Sequence, residues 1–339
     1  MTPAATSISA SARQSFQAAM RGLIDYAGMY PPAGLPLAAA WENYLAYRRS
    51  ADAWMLGHFV LPAGEVESLA KLANADGLAH DRTAAAPMTL AIVCRPAPSQ
   101  DGWLRMLADD LGCATRGVAA SAGRVAIAAI EAKLPEDVIQ RADASATVEF
   151  AAAIAVSREA FPDAALFLES PLVGSAGPAS VEPHIAGLAA AAAKTSSALG
   201  FKLRAGGLET AAFPSAGQVA LVIDACRRHR LIWKATAGLH HPIRHYRDEV
   251  KTKMHGFVNL LAAAALAEAC EAPVDQLAAI LADESPEHFR FDAAGLTWKG
   301  RTATPSQIEL VRRERFVSFG SCSFDEPRDD LRSLGWLEQ

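Results

Sequence analysis

The sequence predicts a (β/α)₈ barrel, a fold in which eight parallel strands alternate with helices and close on themselves. Eight short apolar runs follow one another along the 339 residues, and the segments between them have helical periodicity. An open doubly wound sheet usually carries a glycine fingerprint after its first strand, but neither GxGxxG nor GxxxxGK[ST] occurs here. Because 51% of the residues are hydrophobic, one large core can be filled, and we expect residues 1–339 to form a single domain.

Each predicted strand is a short apolar run bounded by polar or turn-forming residues. In chain order the strands are predicted at 23–30, 55–61, 88–94, 125–130, 165–169, 201–204, 231–235 and 316–324. The helices between them are predicted near 37–49, 65–74, 101–111, 135–144, 147–160 and 216–228, with an Ala-rich helix ending near 199 and a last helix near 327–334.

Two segments lie outside this alternation. Residues 1–22 contain a predicted helix, near 11–21, that is expected to cover the floor of the barrel. Residues 239–315 form a long insertion between strands seven and eight, with a His-rich loop, two helices and a hairpin at 289–299. Such an insertion on a barrel usually carries function or an oligomer contact.

Composition excludes several classes of function. With 37 acidic and 32 basic residues the net charge is −5, which argues against nucleic-acid binding. The longest apolar stretch, 256–267, is too short to span a bilayer, and the N-terminus has no apolar run typical of a secretory signal. The five cysteines form no CxxC pair, so no disulfide framework is indicated. We therefore expect a cytoplasmic protein without membrane or nucleic-acid partners.

Candidate site residues stand near the carboxyl ends of the predicted strands, where barrel active sites lie. A charge there is either functional, paired with another charge, or turned outward by the strand alternation. The strand-end glutamates are Glu131 and Glu169, and one or the other would be the proton shuttle if a lysine imine forms. The other polar groups at these ends are predicted to bind substrate or react with it, and they are Asp25, His58, Lys202, Arg204, Lys234, Ser321 and Ser323.

Lys202 and Lys234 are the candidate nucleophiles. A lysine on a barrel strand can form an imine with a carbonyl substrate if burial or a second cation lowers its pKa. Two lysines on adjacent strands would supply that second cation. The segments around them are FKLRAGG at 201–207 and WKATAGL at 233–239.

These two segments resemble, over fewer than twenty residues, those of class I aldolases of the deoxyribose-phosphate aldolase type. That family carries lysines on strands six and seven in KTSTG-like and KASGG-like segments, but the two segments occur here in the opposite order. Strand position therefore nominates Lys202 as the imine former, whereas motif shape nominates Lys234. The segments DYAGMYPPA, KATAGLHHP and FGSCSFDEP also resemble those of a bacterial protein family, and that likeness implies no activity.

The alternative chemistry uses a divalent metal. His240 and His241 open a loop that also holds His245 and His255, and carboxylates from strands four and five could complete a metal site that stabilises an enolate. The spacing is not a known metal motif, and surface histidines would give the same pattern. Apart from this alternative metal, the sequence indicates no cofactor.

The substrate is expected to be a small anion. Basic residues in the loop after strand seven would attract negative charge, and Arg204 could hold a carboxylate. Backbone groups of Gly206, Gly207 and Gly320 are candidates for binding the same substrate. The sequence therefore predicts a lyase, aldolase or isomerase acting on an anionic carbonyl compound, such as a sugar acid or sugar phosphate. A barrel without catalysis, serving as a scaffold or regulatory partner, is the non-enzyme hypothesis, and a homodimer is an expectation from the fold class alone.

Overall fold

A computed structural model describes residues 10–75, 87–97, 99–141, 146–172, 181–195 and 198–338 of the chain. Within these residues, eight parallel strands form a closed barrel, and the predicted fold class is confirmed. The barrel strands are β1 (Ile24–Tyr26), β2 (Leu56–Pro62), β3 (Met88–Val93), β4 (Val125–Lys133), β5 (Ala165–Glu169), β6 (Leu199–Arg204), β7 (Ile232–Thr236) and β13 (Phe316–Ser321). The barrel closes where β1 pairs with β2 on one side and with β13 on the other.

Helices surround the barrel in the expected order. They are α1 (Ala10–Met20), α2 (Leu37–Arg48), α3 (Val66–Ala75), α4 (Gln100–Ala120), α5 (Glu136–Arg141), α6 (Ala146–Ala160), α7 (Val181–Thr195), α8 (Ala216–Arg228), α9 (Phe257–Cys270), α10 (Val274–Ala282), α11 (Pro305–Glu314) and α12 (Asp325–Ser333). In the described residues no helix is both long and apolar enough to cross a membrane.

Strand alternation divides the apolar residues into two cores. In β5, Leu166 and Leu168 point outward into the large core between strands and helices. Phe167 points inward and packs with Val60 and Ala129 in a small cluster inside the barrel. Because side chains alternate along a strand, the residue after Leu168, Glu169, also points inward. The same alternation directs the charged residues of the neighbouring strands.

The insertion between β7 and β13 contains more strands than predicted. The expected hairpin at 289–299 is a three-stranded antiparallel sheet of β10 (Phe289–Asp292), β11 (Gly295–Trp298) and β12 (Arg301–Ala303), and the His-rich loop contains a second hairpin of β8 (His245–Arg247) and β9 (Thr252–Met254). The N-terminal helix α1 packs at the amino end of the barrel, where the Phe16 ring contacts Trp54, just before β2, and Phe291 of the insertion.

Several predicted boundaries were wrong. Strands β1 and β13 end earlier than their apolar runs, because residues such as Tyr30 and Phe324 are apolar loop residues that pack against the core. Helix α4 runs nine residues past the predicted end at 111, to Ala120. Its Gly117 allows this, since a Cβ there would lie 2.6 Å from the Val66 carbonyl carbon of α3. The predicted helix end at 142–144 lies outside the described residues.

Candidate active site

Both candidate lysines point into the barrel. Lys202 of β6 and Lys234 of β7 are Cα partners in the parallel register of the two strands, so the two residues stand side by side. Their ammonium groups reach carboxylates on strands β1, β4 and β5 inside the barrel. The outward orientation that would exclude lysine chemistry is therefore not observed.

The lysines and carboxylates form a continuous chain of ion pairs. Lys234 Nζ lies 2.7 Å from Asp25 Oδ2 and 2.5 Å from Glu131 Oε1. The other oxygen of Glu131 lies 2.9 Å from Lys202 Nζ, and Lys202 Nζ lies 3.2 Å from Glu169 Oε2. Glu131 thus bridges the two lysines, and each lysine bridges two carboxylates. We call these five residues the lysine–carboxylate chain.

Asp25 is fixed at the inner end of this chain. Ser318 Oγ donates a hydrogen bond to its Oδ2 at 2.7 Å, and the backbone N–H of His58 donates to Oδ1 at 2.8 Å. Gly57 makes this approach possible, because a Cβ at that position would lie 2.3 Å from Oδ1. The His58 ring points elsewhere, with Nδ1 2.8 Å from Thr89 Oγ1. His58 therefore makes its hydrogen bond to Asp25 through the backbone N–H and not through the imidazole.

Accessibility increases from the inner to the outer end of the chain. Asp25 is 0% exposed and Lys234 1%, whereas Lys202 is 7% exposed. Beyond them, the Arg204 side chain is 50% exposed and lies 4.0 Å from Glu169 Oε1. A molecule arriving at the mouth of the barrel therefore meets Arg204, Glu169 and Lys202 before it can reach Lys234.

The direction of the lysine pKa shifts is opposite to the one expected. Burial lowers the pKa of Lys234, but the attraction of Asp25 and Glu131 outweighs it, and the pKa ends above its ordinary value. The pKa of Lys202 is likewise raised, because Glu131 and Glu169 outweigh burial and the repulsion of Lys234. The positive charge of Lys234 does lower the pKa of Lys202, as expected, yet the two carboxylates Glu131 and Glu169 outweigh it. Both lysines are ammonium ions in the unliganded protein.

The pKa values of two carboxylates of the chain, Asp25 and Glu131, are shifted downward, opposite in direction to those of the lysines. Burial alone would raise the pKa of Glu131, but the two lysines lower it to about 2. The pKa of Asp25 is also lowered, because Lys234 and, less strongly, His58 outweigh complete burial. Opposite charges in a low-dielectric interior favour each other's charged forms. The chain is therefore a stable set of ions at neutral pH.

A further, partly buried cation lies on the side of the chain nearer the amino ends of the strands. The guanidinium of Arg312, from α11, donates hydrogen bonds to the carbonyl oxygens of Phe316 and Arg21, near the amino ends of β13 and β1. Burial lowers its pKa to about 10, against an attraction to Asp25 that raises it. Arg312 is thus partly buried, bonded to backbone oxygens, and adds positive charge at longer range from Asp25.

Sequence reasoning missed Tyr30, which follows β1 in the YPPAG turn. Its hydroxyl oxygen is buried and has no hydrogen-bond partner. Burial raises the pKa of Tyr30, and the nearby charge of Glu131 raises it further, which places the phenol beside the lysine–carboxylate chain. A buried donor without a partner at a charged site is a group that a ligand can satisfy.

The glycines predicted to bind substrate have packing roles in the structure. A Cβ on Gly206 would lie 2.5 Å from the Phe213 ring, and one on Gly207 would lie 2.7 Å from Ala212 Cβ. Gly238, after β7, has a φ of +69° and its Cβ would also meet Phe213. These glycines let the loops after β6 and β7 approach each other, and their backbone role toward a substrate stays a prediction.

The residues after β13 are partly engaged in local structure. Gly320 is level with Asp25 in the β1–β13 register, and Ser321 is 2% exposed. Ser323 Oγ accepts a hydrogen bond from the backbone N–H of Glu326 at 3.1 Å, in the first turn of α12. Ser323 therefore caps a helix, and substrate binding by these residues stays a prediction.

The histidine loop is held against α12. His240 Nδ1 lies 3.0 Å from Glu326 Oε2, and His241 contacts Asp330 through Nδ1 and Arg247 through Nε2. Within the described ranges, no group of three or more His, Cys, Asp or Glu side chains could hold a metal ion. The predicted metal site at His240 and His241 has no support from this geometry.

Cys322 does not form a nucleophile pair with His240, although its Sγ lies 3.8 Å from His240 Nδ1. Glu326 contacts the same ring nitrogen, whereas a catalytic triad needs the nucleophile and the orienting acid on opposite nitrogens. Burial also raises the pKa of the Cys322 thiol. The Cys322 thiol is therefore a buried side chain without a nucleophilic role.

The fold and this site define a (β/α)₈ barrel with a buried lysine–carboxylate chain that runs from its interior toward its mouth. No family model matches the sequence, and no curated protein matches it significantly. Two solved structures of a "putative deoxyribose-phosphate aldolase" from Toxoplasma gondii ME49 are similar to it, each at 10% sequence identity. The apo form aligns over 96% of this chain and 99% of its own, with a TM-score of 0.50. The other aligns over 95% and 96%, with a TM-score of 0.49. At this identity the likeness concerns the fold.

Proposed function

We propose that the protein is a lyase of the class I aldolase kind, which binds a small anionic carbonyl compound as an imine on Lys202. One observation carries this proposal: Lys202 is the lysine at the accessible end of a chain of buried ions, between two carboxylates that can move protons. Lys234, held between Asp25 and Glu131 and 1% exposed, has no comparable access. The resemblance in strand position to deoxyribose-phosphate aldolases favours the same assignment.

The first step is the release of a proton from Lys202. Its pKa is raised, so the amine must transfer a proton before it can attack. Glu169 is the acceptor we propose, because it contacts only Lys202 closely and lies beside Arg204 at the mouth. Glu131 is a poorer acceptor, since two ammonium groups lower its pKa to about 2.

The neutral amine then adds to the substrate carbonyl carbon. The carbonyl oxygen takes up two protons in turn and leaves as water, and the product is a protonated imine on Lys202. In the cleavage direction a carboxylate accepts the proton of the β-hydroxyl group, the carbon–carbon bond breaks, and its electron pair moves into the imine to give an enamine. Protonation of the enamine carbon and addition of water release the second product. Lys234 stays an ammonium ion throughout and holds Glu131 in place.

Arg204 and the loops after β6, β7 and β13 are proposed to bind the anionic group of the substrate. The Arg204 guanidinium is half-exposed at the mouth and can make two parallel hydrogen bonds to a carboxylate or phosphate.

The test is reductive trapping of the imine. The protein is incubated with a panel of small carbonyl compounds, including acetaldehyde and pyruvate, with cyanoborohydride, and the labelled lysines are mapped by peptide mass spectrometry. We expect one compound to label Lys202 faster than the surface lysines, and Lys202→Met to lose that label while the control Lys299→Met keeps it. If Lys234 alone is labelled, Lys234 and not Lys202 is the nucleophile. If only surface lysines are labelled, and all to the same extent, the imine mechanism is refuted.

A non-catalytic scaffold is the second candidate, favoured by one observation. Every lysine and glutamate of the lysine–carboxylate chain is paired, which is the arrangement expected if the charges serve stability. On this hypothesis Lys202→Met lowers the stability of the protein, and no carbonyl compound labels Lys202 in the wild type. The trapping experiment therefore separates the two candidates.

A further inference from the structure

A second charged cleft lies at the opposite end of the barrel from the candidate active site. It has a volume of about 720 Å³ and is lined by five arginines, Arg227, Arg228, Arg230, Arg313 and Arg315. All five stand just before β7 or β13, at the amino ends of the strands. We call this the arginine cleft, and the lysine mechanism does not use it.

The arginine cleft arises from a pattern that occurs twice in the sequence. The segment RRHR, at 227–230, ends α8 and leads into β7, and the segment RRER, at 312–315, ends α11 and leads into β13. Strands β7 and β13 are neighbours in the barrel, and the Trp233 backbone N–H donates to the Arg315 carbonyl oxygen at 2.7 Å. Barrel closure thus brings both segments to one place.

Part of this arginine density has a local explanation. Arginines in the last turn of a helix stabilise the negative end of its dipole. Arg228 is held by Glu182 at 2.6 Å and by Asp224 at 2.8 Å, and Arg315 is paired with Glu268. These pairs fix the geometry of the cleft wall.

The other arginines of the cleft are less completely paired, although Arg227 also contacts Asp224 at 3.1 Å through a terminal nitrogen. Within the described part of the chain, Arg230 makes no ion pair and no side-chain hydrogen bond, and the buried Nε of Arg227 has no hydrogen-bond partner. Arg313 pairs with the adjacent Glu314 at 2.8 Å, and its side chain is 66% exposed. An ion pair this exposed contributes little stability, so Arg313 can turn to a ligand at small cost.

The balance of charge in the lining is positive. Glu268 and Glu314 are the two lining acids against five arginines, and counting Asp224 and Glu182 behind the wall still leaves a positive charge. The whole chain, in contrast, has a net charge of −5. A basic concavity on an acidic protein concentrates anions locally.

We propose that the arginine cleft binds a compact polyphosphate, either a free one or the phosphate chain of a nucleotide. Several planar guanidinium groups facing one cavity suit a ligand with several phosphate oxygens, because each group can make two parallel hydrogen bonds. Ile232 is the apolar residue among the described lining residues, so the cleft offers no platform for an aromatic base. Recognition therefore rests on the phosphates.

Isothermal titration calorimetry of the full chain in magnesium-free, low-salt buffer tests this proposal. The probes are inorganic tripolyphosphate, ATP, inorganic phosphate and adenosine. The variant is Arg230→Ala/Arg313→Ala, and the charge-matched control is Arg290→Ala/Arg301→Ala on the three-stranded sheet. Circular dichroism checks that each variant is folded.

We expect one tripolyphosphate per chain, with ATP binding within a fewfold of it, phosphate at least about tenfold more weakly, and adenosine not at all. The arginine-cleft variant should bind tripolyphosphate at least about tenfold more weakly and the control unchanged, since losing even one charge-assisted contact costs about tenfold in affinity. If ATP binds more tightly than tripolyphosphate, the polyphosphate that the arginine cleft binds is the phosphate chain of a nucleotide.

Three results would overturn it: no binding of tripolyphosphate at millimolar concentration, equal weakening in the control variant, or loss of binding in Arg204→Ala, which would place the anion at the barrel mouth. If the variant fails to fold, a protection experiment on the wild-type protein still tests the proposal. Tripolyphosphate should protect Arg230 from modification by phenylglyoxal, and an unprotected Arg230 under saturating ligand would also overturn the proposal.

Discussion

Replacing Lys234 with methionine removes the cation that two buried carboxylates share. Asp25 is 0% exposed and Glu131 2%, and their oxygens lie 2.7 Å and 2.5 Å from Lys234 Nζ. Removing one partner of a buried ion pair typically costs about 3–5 kcal/mol, because the remaining charge is left without compensation. Glu131 keeps Lys202 at 2.9 Å, so Asp25 bears most of the loss. We expect the free energy of unfolding to fall by an amount in that range.

The loss of stability in Lys234→Met should be smaller at acidic pH than at neutral pH. In the wild type the pKa values of Asp25 and Glu131 are lowered, so their stabilising contribution is present above their unfolded pKa values and is lost only in strong acid. In Lys234→Met the lysine is gone, and burial raises the pKa of Asp25 instead. The penalty is then largest at neutral pH and is relieved as Asp25 becomes protonated. The difference between variant and wild type should therefore shrink from pH 7.5 to pH 5.

Urea unfolding followed by circular dichroism and tryptophan fluorescence measures this difference at both pH values. The matched control is Lys251→Met, because Lys251 pairs with Asp248 at 3.2 Å while the two side chains are 70% and 83% exposed. Such an exposed pair contributes about 1 kcal/mol or less. The reasoning fails if Lys234→Met costs no more than the control, or if its cost grows on acidification.

Three further predictions concern single side chains near the site. Gly57→Ala places a Cβ 2.3 Å from a buried carboxylate oxygen and should cost about 1–3 kcal/mol in thermal or urea unfolding, whereas Gly64→Ala, with nothing within 4 Å, should cost almost nothing. Tyr30→Phe removes a buried hydroxyl without a partner and should leave stability unchanged or raised, whereas Tyr44→Phe loses a 3.1 Å hydrogen bond and should cost about 1 kcal/mol; equal losses in the same assay would contradict this. Glu131→Gln removes a charge that raises the pKa of both lysines, so imine trapping should begin at a lower pH than in the wild type; an unchanged or higher pH of onset would show that this carboxylate does not set the lysine pKa.

The barrel could be predicted from the sequence because a parallel strand that is buried on both faces consists mainly of apolar residues and therefore forms a short apolar run. The inward direction of the charged residues follows from the same pattern: in ALFLE, the alternation that sends Leu166 and Leu168 outward sends Glu169 inward. Where apolar residues continue past a strand, as at Tyr30, the pattern cannot mark the end. Apolar residues of a loop that packs on the core look the same as strand residues.

The partners inside the barrel could not be predicted in the same way. Asp25 and Lys234 are 209 residues apart, and only closure of the barrel through β13 brings them together. The sign of the lysine pKa shifts depends on distances of a few ångströms to three carboxylates, which composition does not contain. Gly57 did carry a usable signal, since a glycine inside an apolar strand often marks a close backbone approach.

The charge balance of the barrel interior links the stability of the site to its proposed reaction. The buried lysines Lys202 and Lys234 lie between the carboxylates of Asp25, Glu131 and Glu169, so these carboxylates keep their ion pairs only while both lysines are protonated. If an anionic substrate binds beside Arg204, its charge adds to the carboxylates and would hold the Lys202 proton more tightly. Formation of a protonated imine avoids this difficulty, because the nitrogen of Lys202 keeps its positive charge after it joins the carbonyl carbon. The ion pairs to Glu131 and Glu169 can then persist in the covalent intermediate. A site that stabilises an ammonium ion at Lys202 therefore also stabilises the iminium ion that replaces it, and the full pairing of the lysines is compatible with catalysis.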